Sequence, residues 1–296
     1  MSFENEHILD EAFIRARPPR RIDFFSRSTI FFSGFMSQFG WLFFGFGLIF
    51  FWVFGGAAGI KHFSLFEGDW QPTKGVILST YGTSSSINET TVYGNDFTYT
   101  INGNEYFAIS YTTGNRYYEG QEIDVEYKNR NPDKARIVNS RMAHFPFWTS
   151  LITLIFPFVG LVFILVGMRR NIRANYLMKY GVFTRGERLS KEATNTTIND
   201  QPVYKYEFTF TSDDKSYIAT CSTHQTHRVE DDKQEIILYD ARNPEISVVY
   251  DAIEGYPAID EDGNMGPVPA GNIIYLIVPG ISIIGHGLFI LFYYFI

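Results

Sequence analysis

The segment Tyr127-Lys-Asn-Arg-Asn-Pro132 returns later in the chain as Tyr239-Asp-Ala-Arg-Asn-Pro244, with its Tyr, Arg, Asn and Pro at the same spacing. Each copy lies between two short apolar stretches that read as β-strands. Proline lacks an amide hydrogen and pushes the preceding residue to extended geometry, so each copy is predicted to form a corner between two strands. The shared residues are Tyr127, Arg130, Asn131 and Pro132, and Tyr239, Arg242, Asn243 and Pro244. We expect a structural corner, with a ligand-contacting corner as the alternative.

Apolar and polar residues alternate on both sides of each corner, as in half-buried strands. Within residues 70–140, Asn102-Gly103 signals a two-residue hairpin turn, because both positions tolerate a positive φ. Five short strands in about 70 residues favour a small closed or half-open barrel over a sandwich. The sequence therefore predicts two five-stranded, β-barrel-like domains, at 70–140 and 175–252.

Both domains open on a Gly-Val pair, Gly75-Val76 in the first and Gly181-Val182 in the second. These two pairs are closer together along the chain than the two corners are. The second domain is therefore expected to carry about six extra residues, divided between loops at 190–202 and 222–233.

Three apolar runs without Asp, Glu, Lys or Arg lie at 28–55, 147–168 and 273–296. Each is long enough to cross a bilayer as a helix, which takes about 20 residues. A cleaved signal peptide fits the first run less well, because its apolar core is too long. We expect Pro157 and Gly160 to kink the second run. The predicted fold is membrane α plus β: a tail at 1–27, partly helical in pattern, then three transmembrane helices alternating with the two β-domains, and a linker at 253–272.

The distribution of Lys and Arg predicts the orientation of these spans. Five arginines precede the first run and two lysines follow it, whereas five basic residues follow the second run and two precede it. Both comparisons place the N-terminus and the residues after 168 in the cytoplasm. Three full spans would then put the two β-domains on opposite sides of the membrane. A re-entrant hairpin would put them on one side, but half of the second run, about eleven residues, is too short to cross as helix.

A Gly-Val opening, an aromatic hairpin and a V-x-Y-x-x-x-N-P ending between apolar runs resemble the bacterial membrane proteins of the domain of unknown function family 3592. The resemblance covers roughly 70–140 well and 180–252 more loosely, since Asp232-Lys233 stand where a Gly is usual. It implies a bacterial inner-membrane location and a β-rich domain, and it implies no activity.

Composition and motifs exclude several classes of function. A single cysteine, Cys221, rules out an intramolecular disulfide, and no Lys/Arg block of the kind that binds nucleic acid occurs outside the flanks of the apolar runs. The chain contains no nucleophile elbow, no phosphate-binding P-loop and no His-Glu-x-x-His motif. We therefore expect no enzyme activity and no cofactor.

Cys221, His224 and His227 are the strongest candidate metal ligands, and Glu230, Asp231 and Asp232 follow them. Thiolate, imidazole and carboxylate are the ligands of Zn²⁺. On a strand, Cys221 and His227 would share one side and His224 the other, so a loop is needed for all three to converge. A polar loop after a strand is the alternative.

His286 lies inside the third apolar run between Gly285 and Gly287, and Gln38 lies inside the first run. A titratable residue at membrane depth is a functional candidate. The flanking glycines favour close helix packing instead, with Gln38 as the expected hydrogen-bond partner of His286.

These patterns predict a non-enzymatic multi-pass membrane protein whose β-domains serve protein interaction or scaffolding. Its expected partners are the lipid bilayer and a protein, either another chain or a second copy of this one, and no nucleic acid. The alternative is a metal- or proton-linked accessory subunit of a membrane complex.

Overall fold

The computed structural model describes residues 17–59, 69–231, 233–257, 266 and 268–295. The helical pattern predicted in the first residues and much of the predicted linker at 253–272 lie outside these ranges. The chain divides into two compact units, Phe46–Phe158 and the pair of segments Met1–Gly45 and Val159–Ile296.

The described residues form five α-helices and ten β-strands. The helices are α1 (Phe24–Phe32), α2 (Phe35–Ala57), α3 (Trp148–Thr153), α4 (Ile155–Tyr180) and α5 (Ile274–Phe295). The first five strands are β1 (Trp70–Ile87), β2 (Thr90–Ile101), β3 (Asn104–Thr113), β4 (Glu122–Lys128) and β5 (Asn131–Ile137). The other five are β6 (Val182–Ile198), β7 (Gln201–Ser212), β8 (Lys215–Thr223), β9 (Gln234–Asp240) and β10 (Asn243–Val249). One-turn 3-10 helices occupy Thr226–Arg228 and Ala270–Ile273.

Three helical segments in the described ranges are long and apolar enough to cross a membrane: Phe35–Ala57, Trp148–Tyr180 and Ala270–Tyr293. The first is shorter than the run predicted at 28–55, because the helix breaks at Ser33 and Gly34. Ser33 is extended and Gly34 has a φ of 87°, a left-handed conformation that glycine adopts without steric cost. The preceding residues form the separate helix α1, capped by the Asp23 side chain, which accepts a hydrogen bond from Ser26 N.

The second apolar segment also differs from its prediction. The break falls at Leu154, between α3 and α4, rather than at Pro157 and Gly160. Pro157 lies in the first turn of α4, where its missing N–H has no intrahelical partner to lose. The helix then continues to Tyr180, well past the end of the uncharged run at 168.

Arg20 packs against the C-terminal end of α4. Its guanidinium donates to Met178 O at 2.9 Å and Gly181 O at 2.8 Å, and it lies 4.1 Å from the centroid of the Phe183 ring. Burial lowers the pKa of Arg20 to about 10, which leaves the side chain charged at neutral pH. A cation at this position stabilises the carbonyls and the negative dipole end of the helix.

The first sheet has the strand order β3-β2-β1-β4-β5, with antiparallel neighbours. Its core is built from side chains on one face: Ile77, Phe97, Tyr99, Ile123, Val125, Ala135 and Ile137. The sheet is not a closed barrel. After β5 the chain turns at Asn139 (φ 64°) and meets β3 at a single bridge between Tyr111 and Arg141.

The second sheet has the corresponding order β8-β7-β6-β9-β10 and is likewise open. One face carries a core of Tyr206, Phe208, Phe210, Ala219, Val229, Ile237 and Val249. Leu238 points to the other face and is buried with Ile30 of α1 and Leu177 of α4. This sheet is therefore covered by helix on one side.

The strand registers show which residues of the two sheets correspond. Gly75 pairs with Ile123 and Gly186 pairs with Glu235, and Ile123 and Glu235 precede the Tyr of their respective corners by the same spacing. An added Cβ at either glycine would meet a β2 or β7 carbonyl and a β4 or β9 side chain. Gly186, and not Gly181, therefore corresponds to Gly75; Gly181 follows the end of α4, where its N–H donates to Leu177 O.

This correspondence overturns the expectation of about six extra residues. The separation between matching positions is constant from β1 to β3 and becomes larger by a single residue at β4, so the second domain gains only that residue before β9. The loop predicted at 190–202 is instead the end of β6 and the start of β7. They are joined by a tight turn with positive φ at Asn199 and Asp200, as Asn88 and Glu89 join β1 and β2.

Candidate functional site

Each repeated corner forms the turn between the last two strands of its sheet. Asn131 and Asn243 begin β5 and β10, so both prolines occupy the second position of an edge strand. There the missing amide hydrogen breaks no ladder within the sheet. Arg130 and Arg242 lie in the turns and are exposed.

Local contacts fix both corners. Tyr99 donates its hydroxyl hydrogen to Pro132 O at 2.5 Å, and burial raises the pKa of Tyr99 to about 12. In the second corner, Arg242 N donates to Asp240 Oδ1 at 2.9 Å. Tyr127 and Tyr239 both lie against the cores of their sheets. These contacts support the structural interpretation of the corners.

The three candidate metal ligands lie in different environments. Cys221 is in β8, against the core of the second sheet, whereas His227 is exposed in the 3-10 turn Thr226–Arg228. The nearby Glu230 is engaged by Lys191 Nζ at 2.8 Å and Arg188 Nη1 at 3.1 Å. Over the described residues, which omit Asp232, no three His, Cys, Asp or Glu side chains are grouped in a way that could hold a metal ion.

Burial raises the pKa of the Cys221 thiol to about 12, with Arg170 opposing the shift and Glu235 adding to it. The thiol is therefore neutral at physiological pH. A neutral, partly buried thiol is a poor nucleophile and a poor metal ligand, because both roles use the thiolate.

His286 contacts the backbone of α2 rather than Gln38. Its Nε2 lies 3.0 Å from Gly45 O. Gly45 permits this approach, since an added Cβ there would lie 2.7 Å from Ser282 Oγ of the same helix as His286. The structure therefore places His286 at a packing contact between α2 and α5.

Gln38 hydrogen-bonds to the backbone where α1 ends and α2 begins. Its Nε2 donates to Phe32 O at 2.7 Å and to Tyr275 O at 2.8 Å. Asn171 of α4 completes the arrangement by donating to Phe31 O at 2.8 Å and Ser33 O at 2.9 Å. The carbonyls released where the helix breaks are thus satisfied by two side-chain amides, which the apolar surroundings require.

The glycines that allow close helix packing are not those beside His286. Gly285 and Gly287 have no other heavy atom within 4 Å of an added Cβ, so the packing role predicted for them is wrong. A Cβ at Gly160 would instead lie 2.7 Å from Phe44 Cα and 2.9 Å from Gly40 O. Glycine at these positions lets α2 and α4 approach through their backbones.

The outer face of the first sheet carries a cluster of large apolar side chains, which we call the outer patch. It consists of Val76, Leu78, Phe107 and Ile109, with exposed fractions of 37%, 43%, 65% and 46%. Val76 and Phe107 lie in one row across the sheet, on either side of Thr98. The signal in the sequence was the unbroken apolar stretch Tyr106–Ile109, which indicates that both faces of β3 are covered.

Carboxylates lie among and beside the side chains of the outer patch. Glu105 accepts a hydrogen bond from Thr98 Oγ1 at 2.9 Å, and Asp96 accepts one from Ser79 Oγ at 2.8 Å. Glu122 lies next to Val76 in the neighbouring strand β4. Asp96 pairs with Ile109, and Thr98 lies between Val76 and Phe107, so the polar residues of β2 run between the two apolar pairs. The outer face therefore combines apolar side chains with carboxylates.

The described chain is an α-plus-β protein with three helical segments apolar enough to cross a membrane and two open five-stranded antiparallel sheets. Comparisons with models of protein families, with curated proteins and with solved structures find no match to it. The resemblance to family 3592 therefore stays a prediction.

Proposed function

We propose that this chain is a multi-pass membrane protein that binds a partner protein through the outer patch of its first sheet. The observation that carries the proposal is the patch itself. Four large apolar side chains stand at 37–65% exposure on one sheet face, and a group of exposed apolar side chains of this kind marks an interaction site.

Exposed apolar helix surface supports the membrane location. In the most apolar windows of the three helical segments only 22%, 22% and 11% of the residues are buried. Lipid would cover this surface and remove the cost of exposing it to water. The Lys/Arg distribution favours a cytoplasmic N-terminus and cytoplasmic residues after 168, and the family resemblance favours a bacterial inner membrane.

The carboxylates among and beside these apolar side chains favour a protein partner that combines apolar and basic residues. Glu105, Asp96 and Glu122 would be repelled by an anionic lipid surface, which argues against the patch lying on the bilayer. Opposite charges across an interface steer association and fix its register. The proposed role is binding or scaffolding and needs no reaction and no cofactor.

Correspondence between the sheets suggests that one was duplicated and then specialised. They share strand order, register and the same local bond, from Thr83 Oγ1 to Val92 O and from Thr194 Oγ1 to Val203 O. At the positions of Val76 and Ile109, however, the second sheet has Glu187 and Thr220. At the positions of Leu78 and Phe107 it keeps exposed apolar residues, Leu189 at 59% and Ile218 at 51%. The apolar face is therefore reduced, not absent, in the second sheet.

Photo-crosslinking in native membranes tests the proposal. A benzoylphenylalanine at Phe107 is expected to give a reproducible crosslinked species, identified by mass spectrometry. The same residue at Glu89, exposed in the β1–β2 turn, should not. A second copy of this chain as the crosslinked partner would identify self-association.

Two variants distinguish a specific interface from chance collision. Full burial of a Leu side chain contributes ~1.5–3 kcal/mol. Leu78→Asp, introduced into the chain that carries the photoreactive residue at position 107, should therefore weaken association about tenfold or more. Glu105→Lys should weaken it as well by reversing the charge of that side chain. Crosslinking that is equal at positions 89 and 107, or unaffected by both substitutions, would refute the proposal.

A further inference from the structure

An open cavity of about 380 Å³ lies in the second unit, between the C-terminal half of α4 and the edge strands β8 and β10. Four cationic side chains line it: Arg169, Arg170 and Arg173 from α4, and Lys205 from β7. Thr220, Cys221, Ser222 and Ser247 line the sheet side. We call this feature the arginine cavity.

The cavity has an excess of positive charge. Glu254 lies 3.9 Å from Arg170, and Glu207 lies 2.8 Å from Lys205. Among the residues that the structure describes, Arg169 and Arg173 form no ion pair. These two are four residues apart on one helix and therefore project to the same side, towards the cavity.

The two sheets differ beside the cavity, because a backbone bridge of the first sheet has no counterpart in the described part of the second. In the first sheet, Tyr111 N donates to Arg141 O at 2.7 Å and Arg141 N donates to Tyr111 O at 3.0 Å. Ser222 and Ile253 hold the corresponding positions in the second sheet. Ile253 is instead buried beside Leu177 of α4, and within the described ranges no backbone bond joins it to Ser222.

Apolar and polar walls meet in the cavity. Val166, which also lines it, belongs to the uncharged run that ends at residue 168, and Arg169 follows directly. If α4 spans the bilayer, the cavity opens at the level of the lipid headgroups. Arginines just beyond the cytoplasmic end of an uncharged run, with serine and threonine beside them, suit phosphate, because the guanidinium donates two parallel hydrogen bonds to its oxygens.

We propose that the arginine cavity binds a phosphate group, supplied by the headgroup of an anionic phospholipid. Arg169 and Arg173 hold the phosphate, Lys205 adds charge from the sheet, and Val166 and Val248 contact the apolar part of the lipid. The lipid source rests on the proposed membrane location, whereas phosphate binding by the cavity does not. The site is separate from the outer patch, which belongs to the other unit.

Native mass spectrometry of the full chain in detergent micelles tests the proposal, with phosphatidylglycerol and phosphatidylcholine added in parallel. The chain should retain phosphatidylglycerol in preference. Arg169→Gln with Arg173→Gln should raise the Kd about thirtyfold, the effect expected for two basic residues near an anionic headgroup. Lys233→Gln with Arg242→Gln removes the same charge from exposed positions outside the cavity and should leave the Kd unchanged.

Inorganic phosphate, titrated alone by calorimetry, distinguishes the two sources of the group. Phosphate binding that is lost in the cavity variant, without a preference for phosphatidylglycerol, would support the site with a soluble ligand. Lys205→Gln gives an independent check and should raise the Kd about fivefold, should the double variant lose its fold by circular dichroism. Equal losses in the cavity and control variants, or no binding of either probe, would overturn the proposal.

Discussion

Replacing Gly160 by alanine tests whether the apolar helices touch through their backbones. The added Cβ would lie 2.7 Å from Phe44 Cα and 2.9 Å from Gly40 O, and close to Phe44 N. These are main-chain atoms, so no side chain can rotate away and the helices must separate. Overpacking costs ~1–3 kcal/mol, and alanine returns up to ~1 kcal/mol through its higher helix propensity. We expect Gly160→Ala to lower the free energy of unfolding by about 1–2 kcal/mol.

The matched control is Gly285→Ala in α5, where nothing lies within 4 Å of the added Cβ. Only the propensity gain applies there, so this variant should be neutral or more stable by up to ~1 kcal/mol. The assay is titration of the purified chain in mixed micelles with sodium dodecyl sulfate, followed by circular dichroism. A Gly285→Ala variant that is less stable than Gly160→Ala would show that the close contact lies beside His286 instead.

Three further predictions concern buried polar groups. Arg20→Met should lower the free energy of unfolding by about 3 kcal/mol, because hydrogen bonds from charged groups contribute ~1.5–3 kcal/mol each; an unchanged denaturant midpoint would contradict the capping role. Asn171→Leu should cost about 2 kcal/mol by leaving two carbonyls unpaired, and hydrogen exchange should rise in α1; unaltered exchange would exclude this role. Cys221 should react with iodoacetamide at pH 8 about a thousandfold slower in the folded chain than in urea, since a pKa near 12 leaves few thiolates; equal rates would refute its burial.

Alternation and turn residues were enough to find the strands. Asn102-Gly103 marks a hairpin in the sequence and forms one in the structure, with φ of 50° and 85°. β1 and β6 are longer than the short strands predicted, because each continues to a turn, Asn88-Glu89 or Asn199-Asp200, that lacks the glycine typical of hairpins. Neither sheet closes into a barrel. Closure depends on how the last strand of a sheet pairs with the third, and the local sequence pattern does not encode that pairing.

Residues distant in the sequence explain what the pattern could not predict. The break at Ser33-Gly34 is stabilised by Asn171, 138 residues away from Ser33. The sequence near Gly34 gives no indication of this partner. Gly181-Val182 has the same two residues as Gly75-Val76, but the strand registers show that Gly186 is the structural equivalent of Gly75. The arginine cavity combines α4 with three strands, so the sequence revealed its arginines only as a flank of an apolar run.

The contact of Arg20 with the end of α4 sets an order of events during synthesis. Arg20 leaves the ribosome 158 residues before Met178 and 161 before Gly181, the residues whose carbonyls it binds. At ~5–20 residues per second, about 8–30 s pass before these acceptors exist. The guanidinium of Arg20 therefore stays hydrated during this time. It forms its contact only after the first sheet and the first two apolar segments have been synthesised. A nascent chain arrested before residue 177 lacks every one of the carbonyl groups that Arg20 binds.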